Sequence, residues 1–353
     1  LKLIILGDTH WGIRNDSDNF VEYFLKFYDD VLFPYIKKHK IKHIIQTGDL
    51  MDKRKGVNYK TLSVVSTKFF DKLHELHCEI HLIPGNHDIY YRHSTKVNSM
   101  TELFDWRNGV HIYNEATAVE FGKTKIDFLP WITKENHDDI MDFVGRSDST
   151  IAVGHLELDG FEMFAGIKSS GGMSVKSFSD YYSVLSGHYH HRSSRDNIHY
   201  VGTPYEMTWA DFGDTKGFHV LDTETHELEF VENPLKMFHK VFFSSSVDYA
   251  SMNYDELTGS IVKMIVKDRE DISKFEAVVS KINAAKPIDL TIVESDVTIV
   301  EGISEDQIEG VDTFNVLIAA ARATAENENL NPEKMEKLLT ELYNEAIDLG
   351  RDQ

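Results

Sequence analysis

Apolar runs recur along the chain, and most of them stop in the same way. Leu3-Ile4-Ile5-Leu6 ends at Gly7-Asp8-Thr9-His10, and the run from Ile41 to Thr47 ends at Gly48-Asp49. Ile80-His81-Leu82-Ile83 ends at Pro84-Gly85-Asn86-His87-Asp88. Further on, Ile151-Ala152-Val153 meets Gly154-His155, and Val184-Leu185-Ser186 meets Gly187-His188-Tyr189-His190. Each run has the length and character of a buried strand, and each is followed by a turn that presents Asp, Asn or His.

Between the early strands the apolar spacing is helical. It predicts helices over 19–39, 58–76 and 97–107, with Phe20, Phe24, Phe27 and Val31 on the inner face of the first. From about 110 short strands follow one another: 110–113, 118–121 and 125–129, then a helix over 134–146, then strands ending at Val153, Ser186 and Val201. Gly217–Leu221 and Leu228–Val231 read as a closing hairpin. Strands alternating with helices, then strands in succession, predict an α/β fold: a two-sheet β-sandwich flanked by helices, over 1–235. A small α/β unit follows over 236–294, with a strand at 260–266, a helix at 272–285 and a strand at 288–294. Residues 295–311 are acidic and poor in aromatics, as in a linker. Two helices complete the pattern within 312–353: one over 312–326, and one over 332–349 with Asn331 as its N-cap. The second carries Met335, Leu338, Leu339, Leu342 and Ile347 on a face that needs a partner.

Composition adjusts this picture in three places. The single cysteine, Cys78, cannot form an intrachain disulfide, which fits a reducing cytoplasm. No apolar run approaches the roughly 20 residues of a membrane span, and the apolar start at Leu1–Leu6 reads as a first strand and not as a leader. The net charge of -21 opposes a broad nucleic-acid surface, while leaving room for a local basic patch or for bound cations.

The five strand-end blocks supply carboxylates, imidazoles and one amide. They share the carboxyl edge of the strands, where α/β sheets place their sites. A mixed O/N donor set suits two divalent ions such as manganese better than a thiolate site does. Two such ions about 3.5–4 Å apart clamp an in-line phosphoryl displacement, and Asp49 is the natural bridge. His74, His77, Cys78 and His81 are close in sequence, but they straddle a helix end and a strand start. They read as structural residues, as do His191 and His199. Lys53, Arg54, Lys55, Tyr90 and Arg92, beside the metal blocks, could contact DNA phosphates or could be solvated loop residues.

Asp8-Thr9-His10-Trp11-Gly12, Gly48-Asp49-Leu50, Gly85-Asn86-His87-Asp88, Gly154-His155 and Gly187-His188-Tyr189-His190 together resemble the calcineurin-like metallophosphoesterases. Within them they are similar to the SbcD-type double-strand-break repair nucleases, as is Val201-Gly202-Thr203-Pro204 followed by Lys216-Gly217-Phe218. The layout resembles the recombination-endonuclease subunits of T-even-type phages. The resemblance implies a manganese-dependent (or magnesium-dependent) double-strand exonuclease and single-strand endonuclease of DNA recombination, repair and replication. It implies Asp8, His10 and His190 on one ion, Asn86, His155 and His188 on the other, and Asp49 between them. His87 would serve the leaving group. Asp52 stands where many of these nucleases carry histidine and related protein phosphatases carry aspartate, which predicts an Asp52–His87 dyad. The resemblance also implies a homodimer built on the helices near 58–76 and 97–107, a DNA cap in 236–294, and a C-terminal helix pair docking on an SbcC-type coiled-coil ATPase. The alternatives are a metallophosphatase or small-molecule phosphodiesterase, and a non-catalytic scaffold that recruits the ATPase.

Overall fold

The structure of the chain, a computed structural model, describes residues 1–164, 167–168 and 172–294, and near the C-terminus residues 331, 333–335, 337–339 and 342. Two units result, Leu1–Met237 and Phe238–Gln353.

In the first unit the apolar runs form two six-stranded sheets. The first has the spatial order Leu228–Glu232, Gly217–Asp222, Lys2–Leu6, His43–Gln46, Glu79–Leu82, Val110–Ile112. Its last four strands are parallel, and the first two form the predicted antiparallel hairpin. The second sheet has the order Ser193–Arg195, Ile198–Tyr200, Ser183–Gly187, Ile151–His155, Thr124–Leu129, Thr117–Phe121, with its middle four strands parallel. Alternate residues of the two sheets meet in one buried core. Leu3, Ile5, Ile45 and Ile83 come from or next to strands of the first sheet, and Ile126, Phe128, Ile151, Val153 and Leu185 from the second. The structure is therefore the two-sheet α/β sandwich that the pattern predicts.

The outer helices depart from regular periodicity. Asp18–Phe27 and Phe33–His39 are joined by a π-helical stretch, Tyr28–Leu32, and Tyr59–Val64 and Asp71–Glu75 by another, Val65–Phe70. Each stretch places a ring on Trp11: Tyr28 stacks on it at 5.3 Å and Phe69 lies 6.3 Å away. Trp11, buried, directly follows the Asp8–His10 block, so both helices brace that block from below. One hairpin, Ile89–Tyr91 with Ser94–Asn98, has no counterpart in the sequence pattern, because its residues do not alternate between apolar and polar. The helix after it, Ser99–Phe104, is shorter than its apolar spacing predicts, and its start is set by the Asn98 side chain, which caps it by accepting the Thr101 amide at 2.9 Å.

The second unit holds a parallel three-stranded sheet, Phe238–Phe243, Ile261–Val266 and Asp289–Glu294, with Ile261–Val266 in the centre. Helix Ile272–Ala284 covers one face, burying Val278 and Ile282 against Val241, Phe243, Val262 and Met264. The expected linker 295–311 and helix 312–326 lie outside the described residues. Of the expected helix over 332–349, residues 333–335, 337–339 and 342 are helical, and the Asn331 side chain accepts the Lys334 amide at 3.1 Å. The rest of it lies outside the described residues. Among the described residues, no helix is long and apolar enough to cross a membrane.

Candidate metal centre

The carboxyl ends of the parallel strands in both sheets point to one side, and the five blocks meet there. Two glycines make the approach possible. A Cβ on Gly85 would lie 2.2 Å from Asp49 Oδ1, and one on Gly48, at φ 107°, would lie 2.2 Å from His155 Nδ1. Three site residues adopt the left-handed backbone that L side chains avoid: His10 at φ 42°, Asp49 at φ 52° and His188 at φ 88°. Each such residue costs on the order of 1–3 kcal/mol, and such strain gathers at functional sites.

The side chains fall into two groups with one carboxylate between them. In the first, Asp8, His10 and His190 each offer a ligand atom within 4.8 Å of the others. His10 Nε2 and His190 Nε2 face each other at 3.1 Å, and Asp8 Oδ2 is 3.9 Å from His190 Nε2. In the second, Asn86 Oδ1 lies 2.9 Å from His155 Nε2 and 3.0 Å from His188 Nδ1. Asp49 Oδ2 stands 3.7 Å from His10 Nε2 and 3.5 Å from His155 Nε2, while its Oδ1 accepts the His87 amide at 2.8 Å. His155 Nδ1 donates to the Thr47 carbonyl at 2.8 Å, which leaves Nε2 aimed into the site, as in metal-ligating histidines.

The electrostatics ask for cations. Burial pushes the Asp8 carboxyl up to about 7, the nearby Asp49 carboxylate adding to the effect against the pull of His155. Burial works against a charge on His155, but Asp49 and Asp8 outweigh it and hold the imidazole at about 9. Burial and then the neighbouring His155 push His188 down to about 3. Asp49, although buried, is held well below the usual carboxylate range by His155 and His87. Two divalent ions fit this donor set: Asp8, His10 and His190 could hold one, Asn86, His155 and His188 the other, and Asp49 could bridge them. Opposed imidazole nitrogens and buried carboxylates would then meet cations instead of one another.

His87, 8% exposed, borders the first group, its ring 4.8 Å from that of His10. Its Nδ1 donates to the main-chain carbonyl of Asp52 at 2.6 Å. The expected dyad joins the same two residues through a carboxylate. The Asp52 carboxylate also lies 3.4 Å from His10 Nδ1, an ion-pair contact. Asp88 holds the turn from below: its oxygens accept the amides of Gly85 (2.9 Å), Met51 (3.2 Å) and Leu50 (3.3 Å). Among the five basic and aromatic candidates, Lys53 pairs with Asp16 at 3.0 Å, and Arg54 Nε donates to the Asn86 carbonyl at 2.7 Å. Lys55, Tyr90 and Arg92 are exposed, the last two on the hairpin after Asp88.

Sequence reasoning passed over two supports. The ring of Trp131 lies 5.0 Å from that of His188 and 5.7 Å from that of His155. Lys216, buried, donates to the His190 carbonyl (3.0 Å), to Asp211 (2.7 Å) and to Asp214 (3.3 Å), fixing the strand end that carries His190. A lysine just after two aspartates, Asp211-x-x-Asp214-x-Lys216, was the available signal.

A two-sheet α/β sandwich with Asp, Asn and His side chains gathered at one strand edge defines a metal-dependent phosphoesterase. The calcineurin-like phosphoesterase profile matches residues 1–192, more than half of the chain, and the chain belongs to that family. A relative is "Exonuclease subunit 1" of Enterobacteria phage T4, 32% identical over 286 residues, which span 80% of this chain and 82% of the relative.

Proposed function

We propose that the chain is a manganese-dependent DNA nuclease, the nuclease subunit of a recombination and repair complex whose other subunit is an SbcC-type ATPase. The observation that carries this reading is the position of Asp49 Oδ2 between two ligand groups, with His87 beside them. Two ions bound there would activate an attacking water and clamp the phosphate oxygens of an in-line displacement. The chain's own part is positional and acid–base. Asp8, His10, His190, Asn86, His155 and His188 fix the two sites, and Asp49 spans them. The Asp52 carbonyl holds the proton on His87 Nδ1, so that a proton on Nε2 is the one given to a leaving oxygen. Asp52 supports the metal centre through His10 Nδ1. Arg54 and Lys53 steady the loops, and Lys55, Tyr90 and Arg92 meet the DNA backbone.

The relative's printed name supports an exonuclease that works as a subunit. Tyr59, 89% exposed, and Trp106, 74% exposed, lie on or beside the helices assigned to a homodimer interface, and burying them would favour one. The unit that begins at Phe238 acts as a DNA cap. The helix after Asn331, with Leu338 and Leu342 each 53% exposed, docks on the ATPase.

The phosphatase reading draws on an Asp52 carboxylate beside His87, and the contact that fixes the His87 Nδ1 proton is the Asp52 carbonyl. The complete ligand set weighs against a scaffold. Cleavage of labelled linear DNA, a nitrophenyl phosphodiester and a phosphopeptide by the protein with its ATPase and manganese separates the readings. DNA degradation is expected. Hydrolysis of the phosphopeptide without DNA degradation would establish the phosphatase, and no hydrolysis of any substrate the scaffold.

A further inference from the structure

A second set of ligand-type side chains lies at the other end of the first sheet. His43 opens one strand and Glu79 opens the next, and in register His43 stands opposite Glu79 and His81 opposite His111. The period of two puts Glu79 and His81 on one face of their strand, and the cross-strand neighbours share it. His43 Nδ1 lies 3.2 Å from His81 Nε2 and 3.8 Å from Glu79 Oε2, and all three ligand atoms are within 4.8 Å of one another.

The His43–His81 spacing is close to the edge of a tetrahedron with metal–ligand bonds of about 2.0–2.1 Å, which is about 3.3–3.4 Å, and the Glu79 oxygen stands a little farther out. The outer contacts are also those of a ligand set. The Tyr113 hydroxyl lies 2.8 Å from His81 Nδ1, the nitrogen that faces away from His43. Glu79 Oε2 is held by His111 Nε2 at 3.1 Å, and the His111 ring stacks on His81 at 4.7 Å. Such partners fix a ligand's orientation. Cys78 takes no part, its sulfur facing the Glu79 carbonyl at 3.9 Å. The side chains of His43 and Glu79 are 25% and 49% exposed, so an ion has a way in, while His81 is buried at 4%.

We infer that His43, Glu79 and His81 form a further metal site that binds zinc, with His111 holding Glu79 from outside the shell. Two imidazoles and one carboxylate, with no second carboxylate to bridge to a neighbouring ion, are a donor set that zinc takes in tetrahedral sites. The bound ion would tie two neighbouring strands together at the end of the sheet opposite the catalytic edge, and His111 would add a third. The inference does not rest on the nuclease reading.

The test counts zinc. Chelator-stripped protein is loaded with zinc, dialysed and assayed by elemental analysis as wild type, His43→Gln and Glu79→Gln, both substitutions at partly exposed positions. Each variant is expected to retain one ion fewer per chain than wild type, and Tyr113→Phe is expected to weaken that site about 10–100-fold. Equal zinc content in wild type and in both variants, each folded by circular dichroism, would overturn the inference. A second readout needs no variant. Saturating zinc should protect His43 of the wild-type protein from diethyl pyrocarbonate, read by mass spectrometry, and unchanged modification would also overturn it.

Discussion

The parallel strands of the first sheet carry ligand-type side chains at both ends, and the two ends are built differently. At the carboxyl end, Asp8, Asp49 and His155 are buried, and His10, Asp49 and His188 sit in left-handed backbone. Glycines there let backbone approach side chains to distances that a Cβ would forbid. At the amino end, His43, Glu79, His81 and His111 come together through strand register alone, with ordinary backbone and, except at His81, partial exposure. Strain and buried charge are costs that a fold bears where chemistry needs a fixed field. A cluster made by register costs little, and its ion would serve the fold more than a reaction. Substitutions at the two ends should therefore differ in kind.

The largest effect is expected for Asp49→Asn or His188→Ala. Loss of a bridging or terminal ligand removes several kcal/mol of charge stabilisation, and about 4 kcal/mol is on the order of a 10³-fold fall in DNA cleavage. Steady-state assays at saturating manganese measure it, and near-wild-type turnover would show that the two ligand groups are not the catalytic centre.

His87→Asn comes next. Loss of a general acid costs about 10²–10⁴-fold, and the cost should be largest for the alkoxide leaving group of DNA. A nitrophenyl phosphodiester, whose leaving group needs no proton, should lose much less. Equal losses on both substrates would assign His87 to charge stabilisation.

Asp52→Asn is expected to act through His10, weakening manganese binding about 10–100-fold and leaving the shape of the pH–rate profile unchanged. A displaced alkaline limb with unaltered metal affinity would restore the carboxylate–imidazole dyad. The smallest effect on turnover belongs to the amino end: His43→Gln should leave manganese-dependent cleavage at the wild-type rate, and a fall in rate would mean that the two ends are coupled.

The same contrast explains what could be read from the sequence. The carboxyl-edge blocks are local motifs, because tight turns place Gly, Asp, Asn and His next to one another; the convergence of Asp8 with His190 was legible from their common position after buried strands. The identity of the Asp52 atom that meets His87 was not legible, since carbonyl and carboxylate belong to the same residue and only the turn conformation separates them. The amino-end cluster left no motif at all. His43, Glu79, His81 and His111 are spread over three strands, and sequence proximity grouped His81 with His74, His77 and Cys78, a set that reads as structural. The widened turns at Tyr28–Leu32 and Val65–Phe70 escaped notice for a related reason: an apolar stripe reports which face is buried and not how many residues each turn holds.

The central claim is that one strand edge holds two divalent ions with Asp49 between them. Anomalous diffraction from crystals soaked in manganese tests it most directly. Two peaks are predicted, about 3.5–4 Å apart, one among Asp8, His10 and His190, the other among Asn86, His155 and His188, with the Asp49 carboxylate touching both. A single peak at full occupancy, or two peaks that do not share Asp49, would contradict the account.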